Sequence, residues 1–203
     1  MPAKIRPAKT RQALLIIDVI NDLDFPGGEN VLPWAKRMVK PLSAARQAAH
    51  HRGIPVIYAN DNYGHWHSDF KEVYQHCIRR GARGREVATR MRPTAKDYFV
   101  LKPRHSAFFA TSLKPLLEFL KVEKLILTGI ATNLCVLFTA HDAHMHGYEM
   151  MVLSDCCAAE SDGDHNLALD QLHRFCGATV CLSEEWRSSL NRGNVPKKSR
   201  PGK

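Results

Sequence analysis

The chain has 203 residues, 44% of them hydrophobic, enough for one domain with a sizeable core. Its net charge is +9, yet four Lys/Arg lie in residues 1–12 and six in 187–203, with no acid in either stretch, so 13–186 holds 19 basic against 20 acidic residues. That near-neutral body argues against specific nucleic-acid binding, no apolar run approaches the length of a membrane span, and residues 1–12 lack the apolar stretch of a secretory signal.

The expected organisation is a basic tail over 1–12, one domain over 13–190, and a basic, flexible tail over 191–203 containing Pro and Gly. The six cysteines are Cys77, Cys135, Cys156, Cys157, Cys176 and Cys181. None forms a Cys-x-x-Cys pair, and a chain of this length needs no disulfide staples, so a reducing cytoplasm is the expected location.

The first apolar run, 13–17, ends in Asp18 and reads as a central parallel strand that delivers a carboxylate at its C-terminal end. Pro33 opens a helical pattern that reaches His51, with Gly53 as its stop. A second strand, 56–59, follows Pro55 and completes a βαβ unit. Residues 61–95 break the pattern. They begin polar and aromatic and then carry Arg79, Arg80, Arg83, Arg85, Arg90 and Arg92. Such an excursion either covers a site or presents a solvated basic surface.

A third strand, 97–102, again ends in a charge, Lys102. Ser112 is placed to cap a helix running to Lys121. The apolar run 124–128 is a buried strand, and a helix from Cys135 to His146 stops at Gly147. A strand over 149–154, a helix from Asp162 or Asp164 to Cys176, a strand over 178–182 and a short helix after Ser183 complete the chain. The alternation predicts an α/β fold, a doubly wound sheet of parallel strands with helices on both faces.

Ligands of such sheets sit beyond the carboxyl ends of the strands. Asp18, Lys102 and Cys135 all belong there. Cys135 lies where a strand hands over to a helix, a place that lowers a thiol's pKa and offers N–H donors to an oxyanion. A buried structural Cys is the alternative. A neighbouring carboxylate can take the thiol proton and a neighbouring ammonium can stabilise the thiolate, so three reactive groups at strand ends point to nucleophilic catalysis.

Three motifs carry a resemblance: Leu15-Ile16-Ile17-Asp18 with Asn21-Asp22-Leu23-Asp24-Phe25; Lys102-Pro103-Arg104-His105-Ser106-Ala107-Phe108; and Gly129-Ile130-Ala131-Thr132-Asn133-Leu134-Cys135-Val136. In this order the chain resembles the isochorismatase-like cysteine hydrolases over roughly residues 11–186. The resemblance implies about six parallel strands in Rossmann-like order and a catalytic triad of Asp18, Lys102 and Cys135. It also implies a non-proline cis peptide at Ile130–Ala131, an oxyanion hole from the N–H groups of Ala131 and Cys135, and a homo-oligomer. The expected activity is cofactor-free, cysteine-dependent hydrolysis of a small-molecule amide, carbamoyl or ureido C–N bond through a thioester. Isochorismatase-type ether hydrolysis is the alternative, disfavoured because that branch lacks the nucleophilic Cys; a catalytically idle binding protein is another. No membrane or specific nucleic-acid partner is implied.

Nicotinamidases of this family carry a metal site that begins Asp-x-His after the second strand; the matching stretch here is Asp61-Asn62-Tyr63, and no metal is expected, although His65 and His67 leave a rearranged site open. The histidines His141, His144 and His146 do not have the His-x-x-x-His spacing that stacks two ligands on one helix face. Phe25, Asn62, Trp66 and Phe108 are the expected substrate contacts, and the arginines of 79–92 are candidates to hold a substrate carboxylate. Specificity is expected to reside in the loops 21–34 and 61–95.

Overall fold

Consecutive apolar residues from Ala13 to Ile17 leave a strand no solvent face, and the structure puts that strand at the centre of a six-stranded sheet. The structure is a computed structural model that describes residues 11–64, 66 and 69–192. His65, His67, residues 1–10 and the stretch 193–203 lie outside the described residues, so the expectations for the tails and for those two histidines are not addressed by it.

The elements in chain order are β1 (Gln12–Ile17), α1 (Gly28–Arg52), β2 (Val56–Asp61), α2 (Phe70–Cys77), α3 (Arg85–Arg90), β3 (Tyr98–Lys102), α4 (Leu113–Phe119) and β4 (Lys124–Ile130). A π-helical turn, Thr132–Val136, leads into α5 (Leu137–Met145), followed by β5 (Glu149–Ala158), α6 (Asp162–Cys176), β6 (Thr179–Cys181) and α7 (Ser183–Arg192). The sheet order is β3-β2-β1-β4-β5-β6, and all neighbours are parallel. Side chains alternate across it. Leu14, Ile16 and Tyr58 pack with α1, α2, α3 and α7; Leu15, Ile17 and Ile57 pack with α4, α5 and α6. The order reverses direction between β1 and β4, which opens a crevice at their carboxyl ends, and there Asp18 and Cys135 emerge.

Local chemistry shifts several boundaries. α1 begins at Gly28, five residues before Pro33, because Gly27 caps it in a left-handed conformation and Glu29 supplies an acid to the first turn. The excursion 61–95 contains two short helices; Asp69 caps the first by accepting from the Glu72 N–H at 2.9 Å. Ser112 occupies the N-cap position of α4 without a side-chain cap bond. Thr111 Oγ1 instead accepts from the Leu113 N–H at 3.1 Å. β5 continues past Ser154 to Ala158, since Cys157 and Ala158 regain pairing with Gly129 and Ile130 beyond a bulge.

Gly129 is a constraint of the switch point. Its φ is +128°, and a Cβ there would stand 2.0 Å from the Ile17 carbonyl oxygen on the neighbouring strand. Both the conformation and the close approach require glycine. Gly129→Ala is therefore expected to destabilise the protein by about 3 kcal/mol or more, measured as a lower denaturation midpoint at unchanged slope; an unchanged midpoint would contradict this account of the β1–β4 junction.

Candidate active site

Each functional side chain is delivered by a strand end. Asp18 follows β1 in a left-handed conformation, φ 49°, and its N–H donates to the Ala59 carbonyl at 2.9 Å. The Asp61 N–H, at the end of β2, donates to Asp18 Oδ1 at 2.8 Å, which aims the carboxylate. Lys102 is the last residue of β3, and its side chain is fully buried. Cys135 lies in the π-helical turn beyond β4, one turn before α5 proper, and the Ile130–Ala131 peptide leading to that turn is cis.

The three meet. Lys102 Nζ stands 2.7 Å from Asp18 Oδ2 and donates to Cys135 Sγ at 3.6 Å and to the Arg104 carbonyl at 3.0 Å. The Asp61 carboxylate lies 3.9 Å from the same ammonium. Cys135 Sγ is also 3.9 Å from His105 Nδ1.

Burial pushes the Asp18 pKa up, and the pull of Lys102 only partly offsets it. For Lys102, burial alone would lower the pKa, but its acidic neighbours, Asp18 first, outweigh it and raise the value. The Cys135 thiol is driven well above its ordinary value, first by burial and then by the Asp18 carboxylate, while Lys102 pulls it back. The expectation of a thiol with a lowered pKa is thus corrected. Burial and the nearby Asp18 carboxylate both favour the protonated thiol, because two negative charges beside one ammonium in a buried pocket cost more than one.

A cavity of about 360 Å³ opens above this cluster, lined by Asp18, Cys135, Ala131, Phe25, His105 and Glu160 among others. Of the expected substrate contacts, Phe25 lines it. Phe108 does not: it is buried in the core against the rings of His146 and Tyr148, where apolar packing holds it. Asn62 is buried in a turn, with its Oδ1 accepting from the Gly64 N–H at 2.9 Å. Trp66 is 74% exposed and lines no part of the cavity.

The arginines expected to meet a substrate carboxylate have other partners. Arg79 donates to Asp22 at 3.0 Å, Arg83 donates to the Leu23 carbonyl and pairs with Glu29, and Arg90 pairs with Glu86. Arg79 and Arg83 tie the excursion to the loop after β1, Arg90 pairs within α3, and none of the three lines the cavity. Residue reasoning missed His105, Asp61 and Glu160. His105 sits in the motif quoted for Lys102, and Asp61 ends a strand, so both had a signal. Glu160 had none: it follows β5, and only the fold brings it into the cavity that Cys135 lines. Among the described residues no group of three or more His, Cys, Asp or Glu is placed to hold a metal ion. Among the described residues no helix is long and apolar enough to cross a membrane.

The description "Isochorismatase domain" matches residues 12–185. An isochorismatase family protein of Bacillus subtilis, YaaI, is 39% identical over 178 residues, which cover 88% of this chain and 97% of that protein. Ureidoacrylate amidohydrolase RutB of Acinetobacter baylyi is 27% identical, over 77% of this chain and 74% of that one. Among solved structures, N-carbamoylsarcosine amidase from Thermoplasma acidophilum superposes with a TM-score of 0.67 at 29% identity, covering 86% of this chain and 98% of that one.

The charge arrangement yields a counter-intuitive expectation. Asp18→Asn removes the carboxylate that raises the thiol's pKa and leaves Lys102 to stabilise the thiolate. Alkylation of Cys135 by iodoacetamide at neutral pH should become at least several-fold faster in this variant, as followed by mass spectrometry over a range of pH. Slower alkylation would show that Asp18 does not hold the thiol in its neutral form.

Proposed function

Because the chain belongs to the isochorismatase family, we propose that it is a cysteine-dependent hydrolase of a small-molecule amide, carbamoyl or ureido C–N bond, working through a thioester. The observation that carries this reading is the contact of one buried ammonium, Lys102, with both Asp18 and Cys135 on the floor of a cavity. Ureidoacrylate and N-carbamoylsarcosine, named in two of the relatives, share a carbamoyl group on nitrogen, which supports the bond class; both also carry a carboxylate, and the support does not extend to that part of the substrate.

The steps follow from the neutral resting thiol. As the substrate carbonyl arrives, Asp18 takes the thiol proton while Cys135 Sγ forms a bond to the carbonyl carbon. Lys102 stabilises negative charge on sulfur as the proton leaves. The N–H groups of Ala131 and Cys135 receive the oxyanion. The C–N bond breaks, and Asp18 returns the proton to the departing ammonia or amine. Water then attacks the thioester, giving one proton to Asp18 and releasing the acid; that proton returns to sulfur and restores the thiol.

Asp18 therefore acts as base and then acid in each half of the reaction, and an ion-paired carboxylate that burial keeps easy to protonate suits all four transfers. No step needs a cofactor. As in many small hydrolases, assembly of several copies is part of the proposal, with location in a reducing cytoplasm, where Cys135 stays a thiol.

An ammonia-release screen over neutral, anionic and cationic amides, carbamoyl compounds and ureas tests the reading, with Cys135→Ser as control. Wild-type turnover that drops at least about a hundredfold in Cys135→Ser, with the folded state retained, is expected. Equal turnover in Cys135→Ser would remove the cysteine from the mechanism, and hydrolysis of an enol ether in place of any C–N bond would move the chain to the ether-cleaving branch.

A further inference from the structure

The charge of the cavity around Cys135 has a consequence for what can enter it. Besides Asp18, the lining includes Asp22, Asp24, Asp61 and Glu160, and among the described residues no Lys or Arg side chain. Two fixed cations stand behind these acids, with one histidine beside them and one in the wall. Lys102 pairs with Asp18 at 2.7 Å and lies 3.9 Å from Asp61; Arg79 is 3.0 Å from Asp22 and 3.7 Å from Asp24; His76 Nε2 is 2.9 Å from Asp22, and His105 lines the cavity. Five carboxylates against two fixed cations and two imidazoles leave an excess of negative charge. Glu160 has no cation partner among the described residues: its one hydrogen bond there comes from Asn133 Nδ2, at 3.0 Å to Oε2.

Asn133 belongs to the same π-helical turn as Cys135. Glu160 is therefore held by the element that carries the nucleophile, so its position is tied to the reacting end of any substrate. The neutral part of the wall is supplied by Phe25, Tyr63 and Leu134. The guanidinium groups that could have reversed the sign, Arg79 and Arg83, are occupied in holding the loop after β1.

We infer that this cavity selects amides, carbamoyl compounds or ureas that are neutral or cationic away from the scissile bond, with Glu160 as the residue that reads that end, and that it discriminates against carboxylate-bearing ones. The inference rests on the hydrolytic reading of the Cys135 cavity and narrows its substrate class. The physical basis is that a second carboxylate entering a partly enclosed, negatively charged pocket is repelled, while an ammonium or an amide N–H donor gains a charged acceptor. Glu160 acts as a specificity residue; the bond-making steps do not use it.

Binding and turnover separate this inference from the reading beneath it. Three matched ureas, each with a propyl chain ending in a carboxylate, a carboxamide or an ammonium, are titrated calorimetrically into the Cys135→Ser protein, which binds without hydrolysis. The ammonium and carboxamide compounds should bind at least about tenfold tighter than the carboxylate. Glu160→Gln added to that protein should weaken the ammonium compound about tenfold relative to the carboxamide and narrow the gap to the carboxylate, a change in ratio that a merely structural role would not produce. Tightest binding of the carboxylate, equal binding of all three, or binding of none overturns the inference. Hydrolysis of the three by the wild-type protein is measured separately. A preserved charge order in binding with no hydrolysis counts against the hydrolytic reading and for the charge selection, whereas fastest hydrolysis of the carboxylate compound keeps the hydrolytic reading and overturns the selection.

Discussion

The buried contact between Lys102 and Asp18 is the interaction on which the rest of the site depends. Moving either charge out of water costs several kcal/mol, and Lys102 has no exposed side-chain surface at all. The cost is offset only by geometry: a 2.7 Å ion pair, a hydrogen bond to the Arg104 carbonyl, a second carboxylate at 3.9 Å and the sulfur of Cys135. These partners come from four separate stretches of chain, and the strand ends after β1, β2 and β3 must align with the turn after β4 to supply them. The parallel register performs that alignment. Asp61 pairs with Lys102 across β2 and β3, and Ile17 pairs with Gly129 across β1 and β4, so Asp18 and the Gly129–Cys135 segment leave the sheet side by side. A sheet with another strand order would leave at least one of the charges without a partner in the interior.

The same requirement explains the long excursion between β2 and β3. Asp22 has its pKa lowered: burial opposes ionisation, but the Asp24 N–H, Arg79 and His76 more than compensate. Asp22 is thereby fixed as an anion that clamps α2 and the segment after it onto the loop following β1. Arg83 adds a hydrogen bond to the Leu23 carbonyl, and the Gly84 N–H donates to the Asp22 carbonyl at 2.8 Å, an approach that a Cβ at Gly84 would block by standing 2.0 Å from the Asn21 carbonyl oxygen. Arg79 and Arg83 are structural ties that shape one wall of the cavity, so their positive charge is spent on the protein's own carboxylates.

Sequence reasoning reads some of this well and some of it not at all, for physical reasons. The strands were legible because a parallel strand covered on both faces is an unbroken apolar run, as in 13–17 and 124–128. Their charged ends were legible for the same reason, since a charge ending such a run has to be where the sheet opens. Helix starts were less so. Pro33 looked like the first helical residue, but Gly27 and Glu29 had already supplied the cap and the acid, and a proline in the second turn did not prevent the helix from beginning earlier. Phe108 and Glu160 failed in opposite senses. Phe108 stands in a motif beside Lys102, yet its ring turns into the core; Glu160 stands in no motif, yet tertiary packing brings it into the cavity that Cys135 lines. Proximity in sequence to a candidate site residue carries little information about which way a side chain faces.

The state of the thiol is where local and global arguments diverge most. Taken alone, the start of a helix stabilises negative charge, and Cys135 would be expected to ionise readily. In the folded protein the turn is buried and Asp18 already supplies the anion that Lys102 neutralises. One ammonium stabilises two neighbouring anions in a buried cluster less well than it stabilises one, which favours the proton on sulfur. In the proposed reaction that would keep Cys135 unreactive in the empty site and couple its activation to binding. Proton transfer to Asp18 would then remove one anion as the oxyanion forms beyond the sulfur, and the buried charge of the cluster would stay constant. A pre-formed thiolate would forgo this, since the cluster would then carry an extra negative charge before any substrate had arrived.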